Sequence, residues 1–301
     1  MTQTNQIQTK QKMQYVITDT VETAGAVSYW RLASDTSLAT LAAAWKKHGL
    51  AEDQLPKPPK DEVALGRAVK DMSEKRLLVR PLARRGAWGI VEETVTERPG
   101  LTPRLDHVTL VNVFFRQGQM VVEQAQGTWA QRNDYDTRIL AEFSKHRNTL
   151  AHNDISSWLL DIAAKLGSVS LRDSGGIYFI PRKEVDIWNK VASALEETGS
   201  VIFRIPAMRT AECVAAITDA ISAEAATLTQ KMEEELLAEG DDALGARALK
   251  TRAESAMELL AKLSTYEELI GRQLDIRKRV ELLSANITAA ALTAETSSES
   301  A

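Results

Sequence analysis

RLLVRPLARRGAWGIVEETV, residues 76–95, is where the hydrophobic period of this chain changes from three or four residues to two. A change of that kind separates helix from half-buried strand. The runs 76–82 and 87–95 flank ARRG, a join so short and glycine-bearing that the two strands must turn back on each other as an antiparallel hairpin. Pro81 has no amide hydrogen, so the first run belongs at a sheet edge or stops at Arg80. HVTLVNVFF (107–115) and QMVVEQAQ (119–126), joined by RQGQ, repeat the pattern. The former is apolar on both faces apart from Asn112, which suits a central strand.

Outward from this sheet the chain is helical on both sides. Upstream, Asp35 or Thr36 caps a helix on which Leu38, Leu41, Ala42 and Trp45 recur, with Gly49 past its end. The proline-rich LAEDQLPKPPK (50–60) is a loop, and Asp61 opens a second helix carrying Val63, Leu65, Val69 and Met72. Downstream, Asp136 or Thr137 starts a helix through Leu150, and Asn153 or Asp154 caps another with Ile155, Trp158, Leu159 and Ile162 on one face. SVSLRDSGGIYFIP then reads as a β-hairpin, 183–197 as a helix with Trp188 inward, and SVIFRIP as a further strand. From Arg209 the pattern is a helix with Ile217, Ile221, Leu228, Met232 and Leu236 in stripe. A break at 239–242 precedes a second helix running to about Ala291, with Leu260, Leu263, Ile270 and Leu274 in register.

The expected fold is therefore α+β: antiparallel hairpins with packed helices, then a long, coiled-coil-like antiparallel helical hairpin. The expected organisation is a disordered tail over 1–13, an α+β domain over 14–135, a second over 136–208, the helical hairpin over 209–292 and a disordered tail over 293–301.

Composition narrows the function classes. With 44% apolar and 26% charged residues the chain has the make-up of a globular protein. One cysteine, Cys213, excludes an internal disulfide and a thiolate metal cluster, and on a helix it reads as a small apolar residue. The first residues, MTQTNQIQTKQKMQY, are too polar for a secretory leader and no run suits a membrane span, so a cytoplasmic protein without membrane contact is expected. Net charge is −4 overall, but residues 1–135 carry +3 and residues 209–301 carry −7. The chain thus has a weakly basic head and an acidic tail.

No phosphate-binding loop, dinucleotide turn, zinc-protease motif or nucleophile elbow is present, so an ordinary enzyme is not expected. Ser174 sits in turn chemistry. Glu92 and Glu93 point to opposite strand faces and so are not an acid and base pair. His146 and His152 with Asp154 form the loosest of metal-like groups, but six residues place two helical side chains roughly 240° apart. No metal and no cofactor is expected; an unfamiliar active site would have to use Asp134, Asp136, His146 and His152. A winged-helix reading fails because NDISSWLLDIAAKLG offers only Lys165 against two aspartates.

The basic residues carry the functional expectation. Lys75, Arg76, Arg80, Arg84, Arg85, Arg98 and Arg104 crowd thirty residues, opposed by Glu92, Glu93 and Glu97. Arginine at a hairpin tip grips phosphate without reading sequence, and Trp88 either stacks on a base or packs in the core. The candidate nucleic-acid contacts are Arg76, Arg80, Arg84, Arg85 and Trp88. The candidate oligomer interface is Ile217, Ile221, Leu228, Met232, Leu260, Leu263, Ile270 and Leu274. The expected partners are nucleic acid and a second copy or other protein; the rival is a scaffold or inhibitor protein with no nucleic-acid contact.

SGGIYFIPRKEVDIWNKVASALEETGSVIFRIPAMRTAE, residues 174–212, has a glycine-led strand ending in proline, an amphipathic helix, a strand ending in Ile-Pro and the start of a long helix. In Gly175, Gly176, Tyr178, Phe179, Pro181, Gly199, Ile205 and Pro206 it resembles an uncharacterised prokaryotic and phage protein family. The resemblance implies a fold and a phage or mobile-element setting, no activity, and leaves the first 130 residues outside it.

Overall fold

The structure is a computed structural model, and it describes residues 22–74, 77–96, 104–124, 134–172, 176–238 and 244–299. Its strands are β1 (Thr23–Arg31), β2 (Asp35–Ser37), β3 (Leu77–Pro81), β4 (Trp88–Thr96), β5 (Arg104–Arg116), β6 (Gln119–Gln124), β7 (Thr149–Ala151), β8 (Val169–Ser170), β9 (Tyr178–Pro181) and β10 (Val201–Met208). The helices are α1 (Leu38–Lys47), α2 (Asp61–Asp71), α3 (Tyr135–Arg147), α4 (His152–Lys165), α5 (Val185–Glu196), α6 (Ala211–Leu236), α7 (Ala246–Ile270) and α8 (Arg277–Glu299). The fold is α+β with antiparallel hairpins, as the change of period at residue 76 implies. It divides into two compact units: a sheet unit of Ser28–Ser168 and Glu184–Phe203, and a helical unit of Met1–Val27, Val169–Lys183 and Arg204–Ala301.

In the sheet unit β3, β4, β5 and β6 pair antiparallel in that order. Trp88 lies opposite Val113, Ile90 opposite Val111, and Val113 opposite Val122, so one face is continuously apolar. Against it pack Ala64, Leu65, Ala68 and Val69 of α2 and Tyr135, Ile139 and Phe143 of α3, all buried. A domain boundary at 135/136 would cut this core, so α3 belongs with the sheet and does not open a second domain. At Ile90/Val91 the register shifts: Ile90 faces Val111 but Val91 faces Thr109, and the extra residue, Leu110, is buried. Beyond that bulge β4 and β5 continue as a ribbon from Glu93 opposite His107 to Thr96 opposite Arg104, with no further pairing among the described residues.

The proline-rich loop is fastened by two indoles. Trp45 Nε1 donates to the Ala51 carbonyl and Trp158 Nε1 to the Gln54 carbonyl, each at 2.8 Å, with the two rings 5.2 Å apart. Residues 149–151 are not the end of α3; they form β7, which pairs antiparallel with β2 from Asp35 opposite Ala151 to Ser37 opposite Thr149. The cap of α1 is Ser37, whose hydroxyl accepts from the Thr40 amide, because the helix opens at Leu38 and Thr36 and Asp35 lie one and two residues too far upstream.

Asp154 in the first turn of α4 accepts two hydrogen bonds from Arg67 of α2, at 2.7 and 2.9 Å, and one from the Ala151 amide at 3.0 Å. The Arg67 hydrogen bonds, and then that from Ala151, hold the Asp154 carboxyl below the usual carboxylate range against a desolvation that acts the other way. A depressed carboxyl contributes stability that is present above its unfolded pKa and is lost as pH falls through the lower, folded value. Asp154→Asn should therefore cost about 1–2 kcal/mol at neutral pH, the pair being partly exposed. It should also flatten acid denaturation between the unfolded and folded pKa of that group; urea melts of parent and variant at pH 7 and in the acid limb check both.

In the helical unit β8 and β9 form the expected antiparallel hairpin, Val169 opposite Phe179; its tip, Asp173 to Gly175, lies outside the described residues. The strand order is β10-β1-β9-β8. Ala24, Val169, Phe179 and Ala207 close on Ile217, Ile221 and Ala225 of α6 and on Leu259, Leu263 and Tyr266 of α7. Thr210 caps α6, its hydroxyl accepting from the Cys213 amide.

The C-terminal region contains the expected long packed helices, α7 lying against α8, and α6 precedes them, so the second expected helix is divided in two. Gly271 ends α7 in the left-handed region, φ +79°, which glycine adopts without the Cβ penalty. Glu267 then ties the turn by accepting from the Leu274 amide at 2.9 Å and from Arg277. α8 runs to Glu299. The tail over 1–13 and the break at 239–242 fall outside the described residues.

Candidate functional site

The two tight turns of the four-stranded sheet, 82–87 and 117–118, lie at the same end of it, because β3 and β5 run one way and β4 and β6 the other. Leu82 donates to the Ala87 carbonyl and Ala87 to the Arg84 carbonyl, which puts Arg84 and Arg85 at the tip. Arg80 is exposed at the end of β3 and Arg116 at the end of β5. Four of the expected or neighbouring cations are thus gathered at one end of one sheet. Arg76 and Arg98 lie outside the described residues.

Arg84 is held rather than free-swinging. Its guanidinium donates to the Phe115 carbonyl at 2.6 Å and lies 5.1 Å over the Phe114 ring. Arg116 stands 5.3 Å over the same ring and bonds Glu123 at 3.2 Å. Phe114 alternates with the inward Val113 and so faces the side of the sheet away from α2 and α3, yet it is only 8% exposed. Two arginine planes on an aromatic ring account for that cover. Arg85 is 92% exposed, with Glu62 no closer than 3.6 Å. Among the described residues neither Arg80 nor Arg84 has a carboxylate partner.

Trp88 does not join them. Its ring packs against the sheet core beside Gly66 and under Lys70, whose Nζ is 5.6 Å from the ring, and its Nε1 is buried without a partner. Of the two readings of Trp88, the packed one describes its position, and period-two counting from Ile90 already puts it on the inward face. Arg116 was missed by sequence reasoning; the signal that could have found it is its place beside Gln117-Gly118, the second turn at the same sheet end.

His146 does not meet His152 or Asp154, which are engaged with Asn153 and with Arg67 respectively. Its Nε2 lies 2.7 Å from Asp71 Oδ2, at the end of α2, and Glu142 stands one turn earlier on α3. The ligand-type atoms of Asp71, Glu142 and His146 all lie within 4.8 Å of one another. Asp134 is the residue before α3 and caps nothing with its side chain. Cys213 is half-buried, and burial raises its thiol pKa, away from reactive thiolate.

The residues expected to form an oligomer seam are mostly used within the chain. Ile217, Ile221, Leu263 and Leu274 are buried in the helical-unit core, with Leu260 and Ile270 packed on it. Met232 is buried with Ala253, Ala256, Leu283 and Ile287. Leu228 alone of the eight is exposed. A separate apolar patch was missed: Val95 and Leu105, each more than half exposed and directly opposite each other on the two-stranded ribbon.

The model of the Family of unknown function (DUF6744) matches residues 9–297, which takes in the first part of the chain that the motif at 174–212 leaves out. Neither the curated proteins nor the solved structures contain a match.

Proposed function

The chain belongs to this family of unknown function, and from the geometry of the sheet end we propose that it is a non-catalytic binding protein that contacts nucleic-acid phosphates without sequence preference. The observation that carries the reading is Arg84: a guanidinium fixed over Phe114 beside a second one, with no carboxylate partner among the described residues. Arg116 is offset by Glu123 but Arg84 keeps its charge without a described carboxylate, so an anion approaching Arg84 gains a charge-assisted contact. Arg80 and Arg85 extend the patch, while the packed Trp88 leaves no base-stacking platform there, which favours backbone over base contact. A cytoplasmic setting, phage or mobile-element origin and assembly into oligomers belong to the proposal. Among the described residues no helix is long and apolar enough to cross a membrane.

Fluorescence anisotropy with mixed-sequence single-stranded and duplex oligonucleotides tests it. Binding in the range of about 10⁻⁴–10⁻⁶ M is expected, alike for unrelated sequences. The variant Arg80→Ala/Arg84→Ala/Arg85→Ala should weaken it by about tenfold or more at low salt. Equal binding by parent and variant would remove the arginine end from the interface.

A second reading rests on the ribbon. Val95 and Leu105 form an exposed apolar pair on the two-stranded ribbon, a feature of protein-partner surfaces and the observation that favours the scaffold or inhibitor alternative. Val95→Ser/Leu105→Ser would abolish a partner interaction of that kind while leaving oligonucleotide binding intact.

A further inference from the structure

We propose that Asp71, Glu142 and His146 form a binding site for a divalent transition-metal ion of the zinc class. Glu142 and His146 are four residues apart on α3, the spacing that stacks two side chains on one helix face. Asp71 comes to them from the last position of α2, a helix packed on α3 through the Leu65, Val69 and Ile139 core. The site is thus built from two rigid elements anchored in the sheet unit, not from carboxylates scattered over a loop.

The distances fit. A metal at about 2.1 Å from each ligand atom holds neighbouring ligands roughly 3.0–3.4 Å apart. Nε2 of His146 and Oδ2 of Asp71 are 2.7 Å apart and must open slightly; the remaining separations are within 4.8 Å, a span that side-chain rotation of Glu142 can bring to coordination distance. The imidazole is only 13% exposed, whereas Asp71 faces water, so a cation has both a dry ligand and a route in. One imidazole and two carboxylates suit zinc, manganese or iron better than calcium, which prefers oxygen alone. Three protein ligands leave at least one position open to water.

An ionised carboxylate only accepts, so Nε2 donates its hydrogen to Asp71 in the metal-free protein. Metal binding replaces that hydrogen: Nε2 gives its lone pair to the cation and the single ring hydrogen of the neutral imidazole passes to Nδ1 by exchange with solvent, with no net release. Lys145, which bonds Glu142 at 3.1 Å, competes for that carboxylate, while Arg138 is turned to Glu74 and Arg147 to Asp61. The site therefore binds more weakly than a closed structural zinc site.

Titration of the chelator-stripped full chain with zinc chloride by calorimetry, with cobalt(II) absorption as the second readout, tests this. One saturable site and a cobalt d–d band are expected. Glu142→Gln, a surface change that leaves the fold alone, and His146→Gln should each weaken zinc by about tenfold or more, with His152→Gln unchanged. No saturable zinc binding, or binding indifferent to Glu142→Gln and His146→Gln, would overturn the assignment.

Discussion

Gly25→Ala should abolish the folded helical unit or leave it barely stable. Gly25 lies in β1, where an added Cβ would sit well inside van der Waals contact of the Ile180 carbonyl oxygen and 2.8 Å from the Phe179 ring. Neither neighbour can give way cheaply. The carbonyl is backbone of β9, and Phe179 is fully buried, tilted against Tyr266 at 6.1 Å between ring centres. Overpacking of this kind ordinarily costs about 1–3 kcal/mol, and a clash with backbone inside a sheet belongs at or above the top of that range. The expected result is a soluble yield and a melting temperature both far below the parent's; a melt within about 2 °C of the parent would show that β1 does not approach β9 this closely.

Trp188→Ala should be the most costly single truncation in the sheet unit. Trp188 is fully buried on α5 with Val191 and Leu195, and its Nε1 donates to Ser28 Oγ at 3.0 Å. Ser28 in turn donates to the Phe203 carbonyl at 2.8 Å, so one indole ties α5 to β1 and β10, and Trp30 lies 6.0 Å from its ring. Removing the ring deletes its burial and leaves a cavity, together about 3–5 kcal/mol. Trp188→Phe keeps most of the volume and loses the hydrogen bond, for about 1–2 kcal/mol. Urea denaturation of both variants separates packing from polar loss; equal costs would mean that the hydrogen bond, not the ring, holds the three elements together.

These two positions also mark how far the sequence could be read. Trp188 sits on an α5 stripe that period counting finds directly, and the four strands from Leu77 to Gln124 are legible from alternation and glycine-bearing turns. Gly25 belongs to TAGAVSYWR, which gives no such signal: its small residues lack alternation, and its partners in β9 and β10 are more than 150 residues away. The α7–α8 break is hidden for the opposite reason. Leu263, Ile270 and Leu274 stay in apolar register across Gly271, and all three pack on the same core although Leu274 has left the helix. Within the candidate site, Arg84 and Arg85 announce themselves by clustering, but Arg116 and Phe114 join them only through sheet registration. Asp71 reaches His146 across 75 residues, so no local spacing contains that pair.

The central claim is that the arginine end of the sheet binds phosphate, and the dependence of affinity on salt counts those contacts directly. Three phosphates neutralised on duplex DNA by Arg80, Arg84 and Arg85 give a slope of log K against log salt of about −2.7. The parent should show a slope near that value on unrelated sequences, its magnitude falling by about one for each arginine replaced by alanine. Absence of binding at low salt, or a slope that the triple arginine variant leaves unchanged, would contradict it.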